Sequence, residues 1–95
     1  MDFQIRITES ALADFEGILT YSWDNFSAIA ERFGNAILNH VDLLKTLPYI
    51  GSPVDGRDGV RLLVHTPILI YYWVNEALNF VEVLHFWHGS RHDRF

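Results

Sequence analysis

The sequence predicts an α+β domain of order βααβββ, with an N-terminal helical hairpin packed on one face of a small, mostly antiparallel sheet. Three observations predict it. A short alternating segment opens the chain, two apolar stripes at helical spacing follow, and three β-like runs close together end the sheet at His88. Ninety-five residues make one domain, 1–95, with no repeat or second unit.

Phe3, Ile5 and Ile7 alternate with Gln4 and Arg6, the period of a half-buried strand. Thr8 or Ser10 supplies the N-cap of a first helix, along which Leu12, Phe15, Ile18 and Leu19, then Tyr21 and Trp23, recur every three or four residues. Asp24-Asn25-Phe26-Ser27 reads as a tight turn with capping residues. A second stripe joins Ile29, Phe33, Ile37, Val41, Leu44 and Leu47, and Pro48 stops it. Residues 48–59 hold three glycines and two prolines and read as a loop. Strands are then expected at Val60–His65, 68–74 and Phe80–His88, joined by hairpins.

Composition limits the chemistry. There is no cysteine, which excludes disulfides and thiolate metal sites. No charged-then-apolar leader opens the chain, and no apolar run reaches the roughly 18 residues needed to span a bilayer. The expectation is a soluble cytoplasmic protein with no membrane partner. The net charge is −5. Residues 1–47 carry seven acids against Arg6, Arg32 and Lys45, while residues 48–95 carry five acids against four arginines. The chain therefore lacks the overall positive field that draws proteins to nucleic acid, and only a local patch could do so.

That patch belongs to the sheet half. Four of six arginines and four of five histidines fall between Arg57 and Arg94. If Val60 and Leu62 meet the helices, Arg61 lies on the sheet's open face with Leu63 and His65, where a guanidinium suits anionic recognition. A surface ion pair with Asp58, Glu76 or Glu82 explains Arg61 equally well. Arg91 follows Gly89-Ser90 and would project beside the sheet's end, where it could converge with Arg61. His85 and His88 face opposite sides of a strand, and no strong metal spacing is present, so no metal is assigned. One of His85, His88 and His92 could move a proton, since histidine titrates near neutrality. Tyr71-Tyr72-Trp73 divides between the two faces, and Tyr72 is either a core residue or a stacking surface.

Several short pieces then fit together in order and spacing. They are Ile5-Arg6-Ile7-Thr8 with Ala11-Leu12-Ala13-Asp14-Phe15 and Ile18; Phe33 with Leu44, Leu47, Pro48 and Gly51; Gly59-Val60-Arg61; Ile70-Tyr71-Tyr72; and Val83-Leu84-His85 with His88-Gly89-Ser90-Arg91. In these the chain resembles, nearly end to end, the RelE/ParE family of type II toxin–antitoxin toxins, also called plasmid stabilisation proteins. The resemblance implies a growth-inhibiting toxin covered by a cognate antitoxin in a hetero-oligomer, with no cofactor. It implies one of two targets: the ribosome, where RelE-like members cut messenger RNA without metal, or DNA gyrase, which ParE-like members stall by contact.

By the resemblance, Arg61 matches the family's strand arginine and Arg91 the arginine after the last strand. In a nuclease these two would steady the scissile phosphate, with His88 or His92 as acid or base. In a contact inhibitor, Arg57, Arg61, Tyr72, Arg91, Arg94 and Phe95 would meet the target or the antitoxin. Several of the nucleases carry a tyrosine near the C-terminus where this chain has Phe95, and many carry loop lysines where it has only Arg57. Those departures and the acidic charge favour gyrase over the ribosome. An attenuated member that keeps only antitoxin binding is the third reading.

Overall fold

The computed structural model describes residues 2–89, with the side chains of residues 21–27 left aside. Strand β1 (Gln4–Ile7) leads into helix α1 (Glu9–Asp42), which tightens into a 3-10 turn at Leu43–Lys45. Strands β2 (Ser52–Pro53), β3 (Val60–His65), β4 (Ile68–Asn75) and β5 (Phe80–His88) follow. They form one five-stranded sheet in the order β1-β5-β4-β3-β2. β1 lies parallel to β5, and every other pairing is antiparallel.

The three long strands lie where the alternation placed them. β2 was absent from the expectation because two residues inside a proline- and glycine-rich loop carry no periodicity. Its Pro53 is tolerated because β2 is an edge strand, where a missing N–H costs no ladder bond. On β5 the register skips Leu84, since Tyr71 pairs with His85 and Tyr72 with Val83. This bulge lies just past the last β1 pair, Ile7 with Val83. Thr8 takes over there. Its N–H donates to the Val83 carbonyl at 3.1 Å, and its hydroxyl oxygen accepts from Ala11 N–H at 3.0 Å, capping α1.

The helical region differs from expectation in its turn. The backbone stays helical through Asp24-Asn25-Phe26-Ser27, without a loop. A straight helix would nevertheless hold Leu19 and Gly34 about 22 Å apart, whereas a Cβ built on Gly34 would lie only 2.9 Å from Leu19 Cδ2 and 3.6 Å from Phe15 Cζ. The helix therefore doubles back between Leu19 and Gly34, and the hairpin exists as two helical arms. Glycine at position 34 permits that close approach. The buried stripes are shifted slightly from those expected. Ala11 and Phe15 are buried on the first arm while Leu12 points outward, and Ala30, Ile37 and Val41 are buried on the second while Ile29 is exposed.

Both arms cover one face of the sheet. Ala11, Phe15, Ile37, Val41 and Leu44 pack on Leu63, Ile68, Ile70, Tyr72, Val81, Val83 and Phe86 in a single core. Phe15 and Phe86 meet at 5.2 Å between ring centroids. Among the described residues, no helix is long and apolar enough to cross a membrane.

Leu63 in that core overturns one expectation. Arg61, Leu63 and His65 lie on the helix-covered side, and Val60, Leu62 and Val64 on the other. Both sides of β3 are apolar, so alternation alone did not separate them. The partner strand settled it, because Leu63 pairs with Ile70 and Arg61 with Tyr72, both pointing to the helices.

Candidate functional site

Arg61 stands at the helix-side margin of β3, beneath the segment that returns from the 3-10 turn. Its Nε donates to the Gly51 carbonyl at 2.9 Å and its Nη2 to the Tyr49 carbonyl at 3.2 Å. The guanidinium lies 5.3 Å from the centre of the Tyr49 ring, within cation–π range. It also hydrogen-bonds the Tyr72 hydroxyl. That hydroxyl oxygen in turn accepts from Gly51 N–H at 2.9 Å. Residues 49–51 are thus stitched to the sheet by one arginine and one tyrosine. A Cβ on Gly51 would fall 2.7 Å from both the Leu62 carbonyl oxygen and the Tyr72 hydroxyl, so only glycine fits there.

Two phenols in this cluster are held protonated. Burial pushes Tyr72 up, against the smaller opposing pull of the Gly51 N–H and Arg61. Burial and the Glu76 carboxylate, which accepts from the Tyr49 hydroxyl, push Tyr49 up as well. Neither is a ready base near neutrality. Tyr72 is fully buried, which replaces the stacking surface considered from sequence with a core tyrosine whose hydroxyl is satisfied.

Arg57 lies in the turn between β2 and β3, which brackets an open concavity of about 570 Å³ shared with Asp58 and Arg61. Gly56 and Gly59 take φ of 77° and 79° there, a backbone that side chains resist. His88 is exposed at the end of β5, its register partner Ile68. Arg91, His92, Arg94 and Phe95 lie outside the described residues, so the convergence of Arg61 with Arg91 is not part of this geometry. Among the described residues, no group of three or more histidines and carboxylates gathers to hold a metal.

The opposite face carries aromatic rings. Tyr71 and Trp87 meet edge-on at 5.5 Å, Trp73 and Phe80 at 5.7 Å, and Arg6 sits 3.9 Å over Phe80. Trp73 Nε1 donates to Glu82 across the strand pair at 2.8 Å. Helix contacts that sequence reading missed lie elsewhere. Asp14 accepts from His85 Nδ1 and from Phe86 N–H, while His40 meets His65. His40 was findable, because it follows Ile37 by three residues on the apolar stripe. Nothing local marked Asp14.

A doubled helix laid on one face of a small mixed sheet is the fold of solved ParE and RelE toxin structures. The family model for the ParE toxin of the type II toxin–antitoxin system parDE matches residues 5–93, and the chain belongs to that family. Among solved structures, it is similar to the chromosomal ParDE toxin–antitoxin system from P. aeruginosa, with a TM-score of 0.77 and 19% identity over 90% of this chain and 95% of that one. It is also similar to the toxin–antitoxin complex RelBE2 from Mycobacterium tuberculosis, with a TM-score of 0.72 and 17% identity over 93% of this chain and 99% of that one. No curated protein sequence matches it.

Proposed function

We propose that this toxin is a ParE-like inhibitor of DNA gyrase that acts in the cytoplasm by protein–protein contact and is neutralised by its own antitoxin. The observation that carries this reading is the bracing of Arg61. Its Nε and Nη2 serve the carbonyls of Gly51 and Tyr49 on the helix-covered side. A nuclease would need that guanidinium preplaced on a phosphate, since such catalysis relies on cations fixed before the charge develops. The net charge of −5 adds to this, as a ribosomal site repels an acidic protein. The matched family model is that of a ParE toxin, in keeping with the ParE-like side of the resemblance.

An antitoxin has a place to sit. A groove of about 450 Å³ runs between the outer edge of β1 and the second arm of α1, lined by Ile5, Ile7, Leu38 and Val41. Ile7 and Leu38 are both exposed there, an apolar surface that a partner segment would cover.

The test adds purified full-length toxin to gyrase in a plasmid supercoiling assay, with translating ribosomes in parallel. Supercoiling should fail, recover when antitoxin is added, and transcripts should stay whole. Codon-phased cleavage with supercoiling intact would overturn the proposal in favour of a nuclease, and no effect on either would mark an attenuated member. Arg61→Ala should lower unfolding stability by about 1–3 kcal/mol through loss of charged hydrogen bonds. Below its melting temperature this variant should still inhibit gyrase.

A further inference from the structure

The two arms of α1 are tied to the sheet by two histidine contacts of different chemistry. On the first arm, Asp14 Oδ2 accepts from His85 Nδ1 at 2.9 Å and from the Phe86 N–H at 3.2 Å. On the second, His40 Nδ1 and His65 Nδ1 lie 2.9 Å apart, with ring centroids at 5.1 Å. Both contacts are half-buried.

They respond oppositely to a proton. A carboxylate accepts from a neutral or a cationic imidazole, and protonating His85 turns that contact into an ion pair. Two imidazoles need one N–H and one lone pair between them. A first added proton is tolerated, because a cationic ring still donates to a neutral one. A second leaves two N–H groups and two positive charges face to face, and the bond is lost.

Among the described residues, the contacts of the histidine pair include no carboxylate. From α1, His65 meets His40 and, at 6.1 Å between ring centroids, Phe33. On β4 it pairs with Ile68, whose register partner on the far side is His88 of β5. Asp42, two residues beyond His40, is engaged by Lys45 at 2.7 Å. Burial first, and His40 second, hold His65 below the ordinary histidine range. A base whose cation is disfavoured by folding binds protons more readily in the unfolded chain. Its contribution to stability is therefore whole above about pH 6.5 and is lost as the pH falls through that value.

We infer that mild acidification unfastens the second arm of the helical hairpin from the β3–β4 end of the sheet while the first arm stays fastened to β5. The switch is one-sided, and it does not depend on which target the toxin has.

Hydrogen exchange of the full chain, corrected for intrinsic rates, tests this at about pH 7.5 and about pH 5.5, either side of the ordinary histidine value. Protection of amides in residues 29–42 should fall by up to about tenfold, the most that a group with an ordinary value of about 6.5 contributes at about pH 5.5, while residues 9–18 hold theirs. In His65→Phe, which keeps a ring against Phe33 without a titrating nitrogen, the pH dependence should vanish, and in His40→Gln, which leaves His65 buried but removes the facing ring, it should weaken. Equal loss in both arms, no loss in the second arm, or a loss that survives both substitutions would overturn the inference. Should neither variant fold, the contrast between the arms of the unaltered protein decides alone.

Discussion

The two faces of the sheet hold similar side chains and put them to different uses. The covered face presents Leu63, Ile70, Tyr72, Val81, Val83 and Phe86 to the helical arms, all buried. Among the described residues no helix lies over the other face, yet it carries Tyr71, Trp73 and Trp87 with Val60, Leu62 and Val64. There Tyr71 and Trp87 meet edge-on, and Tyr71 is only 3% exposed while Val64 is 51% exposed.

That contrast makes the two faces unequal under substitution. The largest effect is expected at Phe86→Ala on the covered face, about 3–5 kcal/mol in chemical denaturation, because the ring meets Phe15 and leaves a cavity the arms cannot close. A smaller effect than that would mean the arms repack freely. Next comes Gly51→Ala at the margin of the same face, where the new methyl must displace the Leu62 carbonyl or the Tyr72 hydroxyl. Overpacking of this kind costs about 1–3 kcal/mol, and loosening of residues 49–51 should appear as faster proteolysis there. The smallest effect belongs to the open face. Val64→Thr should change stability by no more than about 0.5 kcal/mol, and a larger loss would show that this face is packed against something in solution.

How far these features could be read from the chain varies with the physics behind each. The long strands β3, β4 and β5 were legible because alternation over six or more residues records burial directly, whereas the cap was legible only as Thr8 or Ser10, and the fold chose Thr8. The side of the sheet taken by Arg61 was not legible. Val60, Leu62 and Val64 are as apolar as Leu63, so the choice rested on pairing with Ile70 and Tyr72, residues seven and eleven positions further on. The helical reversal was read correctly as a hairpin with a tight turn, although the backbone through that turn is helical. Asp24-Asn25-Phe26-Ser27 favours turns locally, and the helical backbone there overrides that preference.

The site residues divide in the same way. Family membership followed from short motifs whose order survives without any coordinates, since each encodes a local shape. Whether a side chain meets solvent, backbone or core is a property of distant neighbours. Arg61 was read as a candidate recognition residue from its strand position, and what the fold adds is that it braces two carbonyls ten and twelve residues away. Local pattern carried element type, order and class here, because helix and strand periods are written in near neighbours. Face, partner and protonation response came from the folded chain, because pairing energies act between groups that the backbone brings together only at the end.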